Sequence, residues 1–192
     1  MVDGNQLIAT DLACVRGGRT VFQGVSFALG RGGALQVEGA NGAGKSSLLR
    51  ILAGLLEPGG GALANDLATA WLGSDATLKP GTRLRAELLH WAGLDRRPAS
   101  AVEAALAAFD LTALADLPVD VLSSGQRRRA ALARVHASGA ALWLLDEPGV
   151  GLDAASLNRL SDAIRMHRAG GGAVVVATHG DIGLDAPQRL AL

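Results

Sequence analysis

Residues 39–46 constrain this 192-residue chain more than any other part of it. Gly39-Ala40-Asn41-Gly42-Ala43-Gly44-Lys45-Ser46 fits the pattern G-x-x-x-x-G-K-[ST] at every fixed position. The three glycines permit dihedrals that turn successive backbone N–H groups toward one point, and they let that backbone approach closely. Ala34-Leu35-Gln36-Val37-Glu38 reads as a short strand entering the turn. Leu48, Leu49, Leu52 and Ala53 give apolar spacing for a helix over about residues 45–53. A strand, a glycine turn and the positive end of a helix form a grip for phosphate. Lys45 supplies a mobile charge for β- and γ-phosphates, Ser46 a hydroxyl for Mg²⁺, and Ser47 is a further candidate for ATP binding. A chance glycine-rich turn is the alternative, but it has no need of these flanks.

The same logic extends to a sheet. Leu142-Trp143-Leu144-Leu145 is an uninterrupted apolar run ending in Asp146, too short for a helix and suited to a buried parallel strand. Ala173-Val174-Val175-Val176-Ala177 is a second such run. Between them Asp153 can cap a helix over about residues 154–168, stopped by Gly170-Gly171-Gly172. Strand, helix and strand imply a right-handed crossover and a parallel sheet. Residues 7–15 and 21–29 read as shorter strands forming an antiparallel flank, and Pro58-Gly59-Gly60-Gly61 as a turn. Residues 82–137 carry helical patterns, with Leu84, Leu88 and Trp91, then Val102, Leu106 and Phe109. They read as a helical lobe inserted into the sheet. One domain is expected: a core lobe of about residues 1–75 and 138–192 and a helical lobe of about 76–137.

Asp146-Glu147-Pro148 follows the first apolar run directly. A carboxylate at a strand's C-terminal end lies where ligands of open α/β sheets sit. Asp146 suits Mg²⁺, and Glu147 can accept a proton from an attacking water. Standing alone, the pair reads better as a solvated acidic turn before Pro148; beside a phosphate grip, the chemical reading prevails.

Composition removes other classes. Lys and Arg total 18 and Asp and Glu total 18, so net charge gives no reason to expect a nucleic-acid partner. Cys14 is the single cysteine, which excludes an internal disulfide and paired-cysteine metal sites. Met1-Val2-Asp3-Gly4-Asn5-Gln6 lacks a signal-peptide layout, and no apolar stretch approaches the ~20 residues that span a bilayer. A cytoplasmic chain is expected, meeting any membrane through another protein.

Leu122-Ser123-Ser124-Gly125-Gln126, ahead of a helix opening at Arg127-Arg128-Arg129, resembles the L-S-G-G-Q signature of ABC ATPases. Ser124 stands where glycine is usual. An ordinary serine helix cap is the alternative reading, and the three arginines read as a partly solvated helix face. Gly151-Leu152-Asp153 is similar to the D-loop, and Thr178-His179 to the switch histidine. Nearly the whole chain takes part in the resemblance. It implies an α/β P-loop NTPase of the ABC nucleotide-binding type, with an antiparallel flank and an inserted helical lobe. It implies ATP with Mg²⁺ hydrolysed in a homodimer, where Ser123, Ser124, Gly125 and Gln126 cap the twin subunit's ATP. Glu147 and His179 would be catalytic. Ser74, within Trp71-Leu72-Gly73-Ser74-Asp75, stands where the metal-contacting Q-loop glutamine is expected. Arg16 falls near the place of the adenine-stacking aromatic; a surface arginine is an equal reading.

Within ABC ATPases the sequence is most similar to the heme exporter ATPases of cytochrome c maturation. The likeness lies in Glu38 and the loop after it, Ser47-Leu48-Leu49-Arg50-Ile51-Leu52-Ala53-Gly54-Leu55, the block over residues 119–134, and Trp143 inside the strand before Asp146. Gly149-Val150 and a short stretch over residues 58–71 depart from the pattern. The resemblance implies a peripheral subunit on the cytoplasmic face of a bacterial inner membrane, bound to an integral permease. Heme export or release of a holo heme chaperone would be its work. An exporter of another small molecule remains open, and a soluble ABC protein is a remoter alternative. A GTPase would carry an N-K-x-D motif, which the sequence lacks.

Overall fold

A computed structural model describes residues 6–75 and 78–192; residues 1–5 of the N-terminal segment read for a leader lie outside them. Two sheets form the frame. Strands β1 (Leu7–Arg16), β2 (Arg19–Leu29) and β4 (Gly60–Asn65) make an antiparallel sheet in the order β2-β1-β4. The others are β3 (Ala34–Glu38), β5 (Thr69–Leu72), β6 (Leu142–Asp146), β7 (Ala173–Ala177) and β8 (Gln188–Ala191). They form a parallel sheet in the order β5-β6-β7-β3-β8.

Apolar runs become two-sided strands because side chains alternate across a pleat. Leu142 and Leu144 of β6 pack with Leu35, Val37 and Val175 against helix α1 (Lys45–Leu52) and the antiparallel sheet. Trp143 and Leu145 turn the other way with Val174 and Val176. There they meet helices α2 (Leu84–Leu94), α3 (Ala99–Ala108), α4 (Ser124–Ser138) and α5 (Ala154–Ala169). Both faces are therefore covered, as an all-parallel sheet requires. Each fully buried Leu or Val contributes about 1.5–3 kcal/mol.

The expected elements at residues 45–53, 142–146, 154–168 and 173–177 are found with shifts of one residue or none at their ends. The antiparallel strands are longer than expected, because β1 and β2 continue through irregular pairing into a tight turn at Gly17 and Gly18. The glycines after Pro58 do not merely turn: Gly60 and Gly61 open β4, where Gly60 pairs with Ala13 of β1 and Gly61 falls at a register shift. Strands β5 and β8 were not expected. Helix α4 opens at Ser124 rather than Arg127. Trp91, part of the helical pattern that becomes α2, is 37% exposed. Its Nε1 donates to Glu87 Oε1 at 2.9 Å, and the Arg134 guanidinium lies 4.8 Å over its ring. Among the described residues, no helix is long and apolar enough to cross a membrane.

Candidate functional site

Strand β3 runs between β7 and β8 and delivers the chain into the glycine turn at the C-terminal edge of the sheet. Gly44 ends the turn with φ 104° and immediately precedes α1. A Cβ there would stand 2.6 Å from Val21 Cγ1 and 2.9 Å from Phe22 Cδ1, so only glycine fits. No side chain caps α1, which leaves the amides of its first turn directed at the space in front. Lys45 is 7% exposed. Its Nζ donates to Gly39 O at 2.8 Å and Ala40 O at 3.2 Å, and lies 2.8 Å from His179 Nε2.

Strand β6 brings two carboxylates to the same edge. Asp146 is buried, and its Oδ2 has no hydrogen-bond partner. An unpaired buried carboxylate oxygen is costly unless a cation answers it. Together with the Ser46 hydroxyl on the same wall, it makes a hard-oxygen donor set that fits Mg²⁺. Glu147 has φ 47°, left-handed backbone that a residue with a Cβ rarely adopts. Its N–H donates to Ala177 O at 2.8 Å, and its Oε1 lies 3.6 Å from His179 Nε2. His179 follows β7 through the buried Thr178.

These groups surround one cavity of about 350 Å³, lined by Asn41, Gly42, Gly44, Lys45, Ser46, Ser47, Asp146, Glu147, His179 and Val21. Gly39 and Ala40 hold Lys45 from behind through their carbonyls, and Ala43 N–H closes the loop onto Ala40 O at 3.1 Å. The phosphate-loop residues, both carboxylates and the histidine expected from sequence are thus brought together. Val21 was missed; a β-branched residue in an edge strand carries no signal of its own. A larger groove of about 640 Å³ between Trp71, Trp91 and Arg134 has none of these groups.

Other expected residues lie elsewhere. Arg16 is exposed at the end of β1, opposite Arg19, and does not line the cavity. Ser74 does not line it either; its carbonyl accepts from Arg128 Nη1 at 3.2 Å. Ser123 caps α4: its Oγ accepts from Gln126 N–H at 3.2 Å, and Gln126 Oε1 accepts from Ser123 N–H at 2.8 Å. Ser124 is exposed, and Gly125 comes so near Gly151 O that an added Cβ would stand 3.1 Å from it. Asp153 caps α5 by accepting from Ser156 N–H at 2.8 Å. The Ser156 side chain and N–H together hold its carboxyl below the usual carboxylate range. None of these capping residues lines the cavity of its own chain.

The expectation of a partly solvated face holds for Arg127 and Arg129, which are half-buried, but not for Arg128. Arg129 donates to Phe109 O at 2.8 Å and Asp110 O at 3.0 Å, and Arg128 is 5% exposed. A helix turns about 100° per residue, so three consecutive arginines cannot share one face.

Comparison with known proteins agrees with this geometry. The ABC transporter family profile matches residues 22–150. The cytochrome c biogenesis ATP-binding export protein CcmA of Paramagnetospirillum magneticum is 48% identical, over 96% of this chain and 92% of that protein. The CcmA of Sphingopyxis alaskensis is 51% identical over 90% of each. An ABC transporter ATP-binding protein from Pyrococcus furiosus superposes with a TM-score of 0.86 at 20% identity, covering 98% of both chains. An ATP-binding subunit of an ABC transporter gives 0.85 at 23% identity, over 91% of this chain and 80% of that one. The last two carry the fold alone. With relatives this similar over nearly its full length, the chain belongs to the ABC transporter family, in the branch that these CcmA proteins represent.

Proposed function

We propose that this chain is the ATP-hydrolysing subunit of an ABC complex that serves cytochrome c maturation, by heme export or by release of a holo heme chaperone. The observation that carries the hydrolytic part is the convergence of Lys45, Asp146, Glu147 and His179 on one cavity. The cytochrome c part rests on the names of its relatives.

In this reading the amides of residues 39–46 and the start of α1 bind the triphosphate, and Lys45 swings its charge onto the β- and γ-phosphates. Glu147 takes a proton from water as the water oxygen bonds to the γ-phosphorus. The bond from that phosphorus to the bridging oxygen breaks, leaving ADP and phosphate. His179, beside both Lys45 and Glu147, orients the water and contacts the γ-phosphate. Ser46 and Asp146 would hold Mg²⁺, whose charge offsets that of the phosphates.

The capping residues at α4 do not line their own cavity, which suits a role at the site of a twin copy of the chain. Ser123, Ser124, Gly125 and Gln126 would close over the twin's γ-phosphate, with Asp153 beside them. An integral membrane permease completes the complex at the cytoplasmic face of the inner membrane.

The test is purification of the chain from membranes with its bound integral protein, followed by ATPase assay and heme analysis. The expected result is Mg²⁺-dependent hydrolysis in a complex whose membrane subunit binds heme or a heme chaperone. A complex that hydrolyses ATP but handles another small molecule would replace the cargo and keep the ATPase. A chain that fails to engage ATP at millimolar concentration would end the reading.

A further inference from the structure

Arg128 sits on the second turn of α4 and turns inward, where every nitrogen of its guanidinium is used. Nη2 donates to Asp146 O at 2.6 Å and to Glu147 O at 2.5 Å. Nη1 donates to Gly73 O at 2.9 Å and Ser74 O at 3.2 Å. Nε donates to Pro148 O at 3.4 Å. The acceptors belong to two loops that leave neighbouring parallel strands, β5 and β6, at the same edge of the sheet. A planar fork with five N–H donors can span both; an ammonium with three tetrahedral donors cannot. Burial pushes the guanidinium below its ordinary value, and the nearby Asp146, Glu147 and Asp75 oppose that shift.

One of the carbonyls held is that of Glu147, whose backbone is left-handed. Such backbone is strained and persists only where its surroundings over-determine it. Here it is fixed on both sides, by its own N–H on Ala177 O and by Arg128 on its carbonyl. That conformation sends the carboxylate into the cavity toward His179. No other arginine among those with described hydrogen bonds reaches the loop after β6.

We propose that Arg128 is a positioning residue for hydrolysis: it clamps the loop after β5 and the Asp146–Pro148 loop to the start of α4, and so aims the Glu147 carboxylate. The inference rests on the reading of Glu147 as the base. It gives the loop at Ser74 an anchor that needs no side chain of its own, because only the carbonyls of Gly73 and Ser74 are used. It also ties the Ser123 segment, one turn earlier in the same helix, to the site of proton transfer.

The test uses the full chain co-purified with its membrane partner. Arg128→Met keeps length and removes the donors; Arg128→Lys keeps charge and a fraction of the donors. For Arg128→Met the expected result is a kcat about tenfold lower or less still, with KM for ATP and the Kd of a non-hydrolysable ATP analogue within about twofold of wild type. Arg128→Lys should recover part of the kcat. A kcat within about twofold of wild type in Arg128→Met overturns the proposal. So does a parallel loss of kcat, nucleotide affinity and melting temperature in both variants, which makes the residue structural, and so does failure of both to fold. Glu147→Gln, assayed alongside, separates the two claims. If it hydrolyses normally, the base assignment falls; if it is inactive while Arg128→Met is normal, only the positioning role falls.

Discussion

The Lys45 ammonium and the His179 ring meet across the nucleotide cavity, with Nζ 2.8 Å from Nε2. The phosphate loop and the end of β7 are thereby joined through two side chains that both face where a γ-phosphate would lie. Lys45→Ala removes the one buried cation of the loop together with its bonds to Gly39 O and Ala40 O. Nucleotide Kd should rise by at least about tenfold, the loss of roughly 1.4 kcal/mol. Titration with a fluorescent ATP analogue measures it, and wild-type affinity would contradict the placement of Lys45 on the phosphates.

Glu147 should separate binding from chemistry. Its carboxylate lies on the cavity wall but contributes no positive charge to hold phosphate. Glu147→Gln keeps shape and removes the proton acceptor, so kcat should fall by about 10²–10⁴-fold. ATP binding should persist, and the variant should accumulate as a closed, ATP-bound dimer visible by size-exclusion chromatography. Unchanged turnover would take Glu147 out of the mechanism.

Particular residues show why some of this was legible in sequence and some was not. Residues 39–46 and 173–177 declare themselves because each local choice serves one role: glycine for the turn, β-branched residues for a strand buried on both faces. Strand β8, Gln188–Ala191, has mostly exposed side chains on a sheet edge, so no apolar period marks it. Strand β5 has four residues and exists because β6 offers it a partner some 70 residues away, a non-local fact. Gly60 and Gly61 read as a turn, yet Gly61 is needed where β4 crosses close to the Asp11 carbonyl of β1. Arg128 was hidden by its neighbours: a run of three arginines reads as one partly solvated face until the helix turns the middle one inward. The cavity residues at 39–47, 146–147 and 179 were readable because their chemistry requires fixed types. Val21, which only packs, was not.

Gly44 combines two demands that can be separated by substitution. Alanine there meets φ 104° and a Cβ 2.6 Å from Val21 Cγ1. Alanine at Gly42 meets φ 85° but nothing within 4 Å. Backbone strain alone costs on the order of 1–3 kcal/mol. At about 2–4 °C per kcal/mol, Gly42→Ala should lower Tm by roughly 2–12 °C, and Gly44→Ala by more. Differential scanning fluorimetry compares them. Equal shifts would mean that the contact with β2 carries no cost.

A column of rings behind β6 should give stability a pH dependence. Trp143 stacks on His167 at 4.0 Å and 9°, and its other neighbour is His136, which meets Phe109 edge-on. Burial pushes both histidines below their ordinary value. For His167, a bond to Ala173 O opposes that shift and His136 reinforces it. A lowered histidine pKa means that the unfolded chain binds more protons as pH drops below about 6.5, so stability falls with pH there. The contribution is complete above that value and lost progressively below it, toward the lower folded values. Asp153, also lowered, acts only in the carboxylate range and leaves this window alone. Tm should therefore decline between about pH 7.5 and 5.5. The Nδ1 of His136 is buried without a partner, so His136→Leu removes a titrating group and leaves no new orphan. Its Tm should decline less steeply over the same range, partly because His167 loses a charged neighbour. Identical slopes in the variant and the wild type would show that the ring column does not set the acid limb.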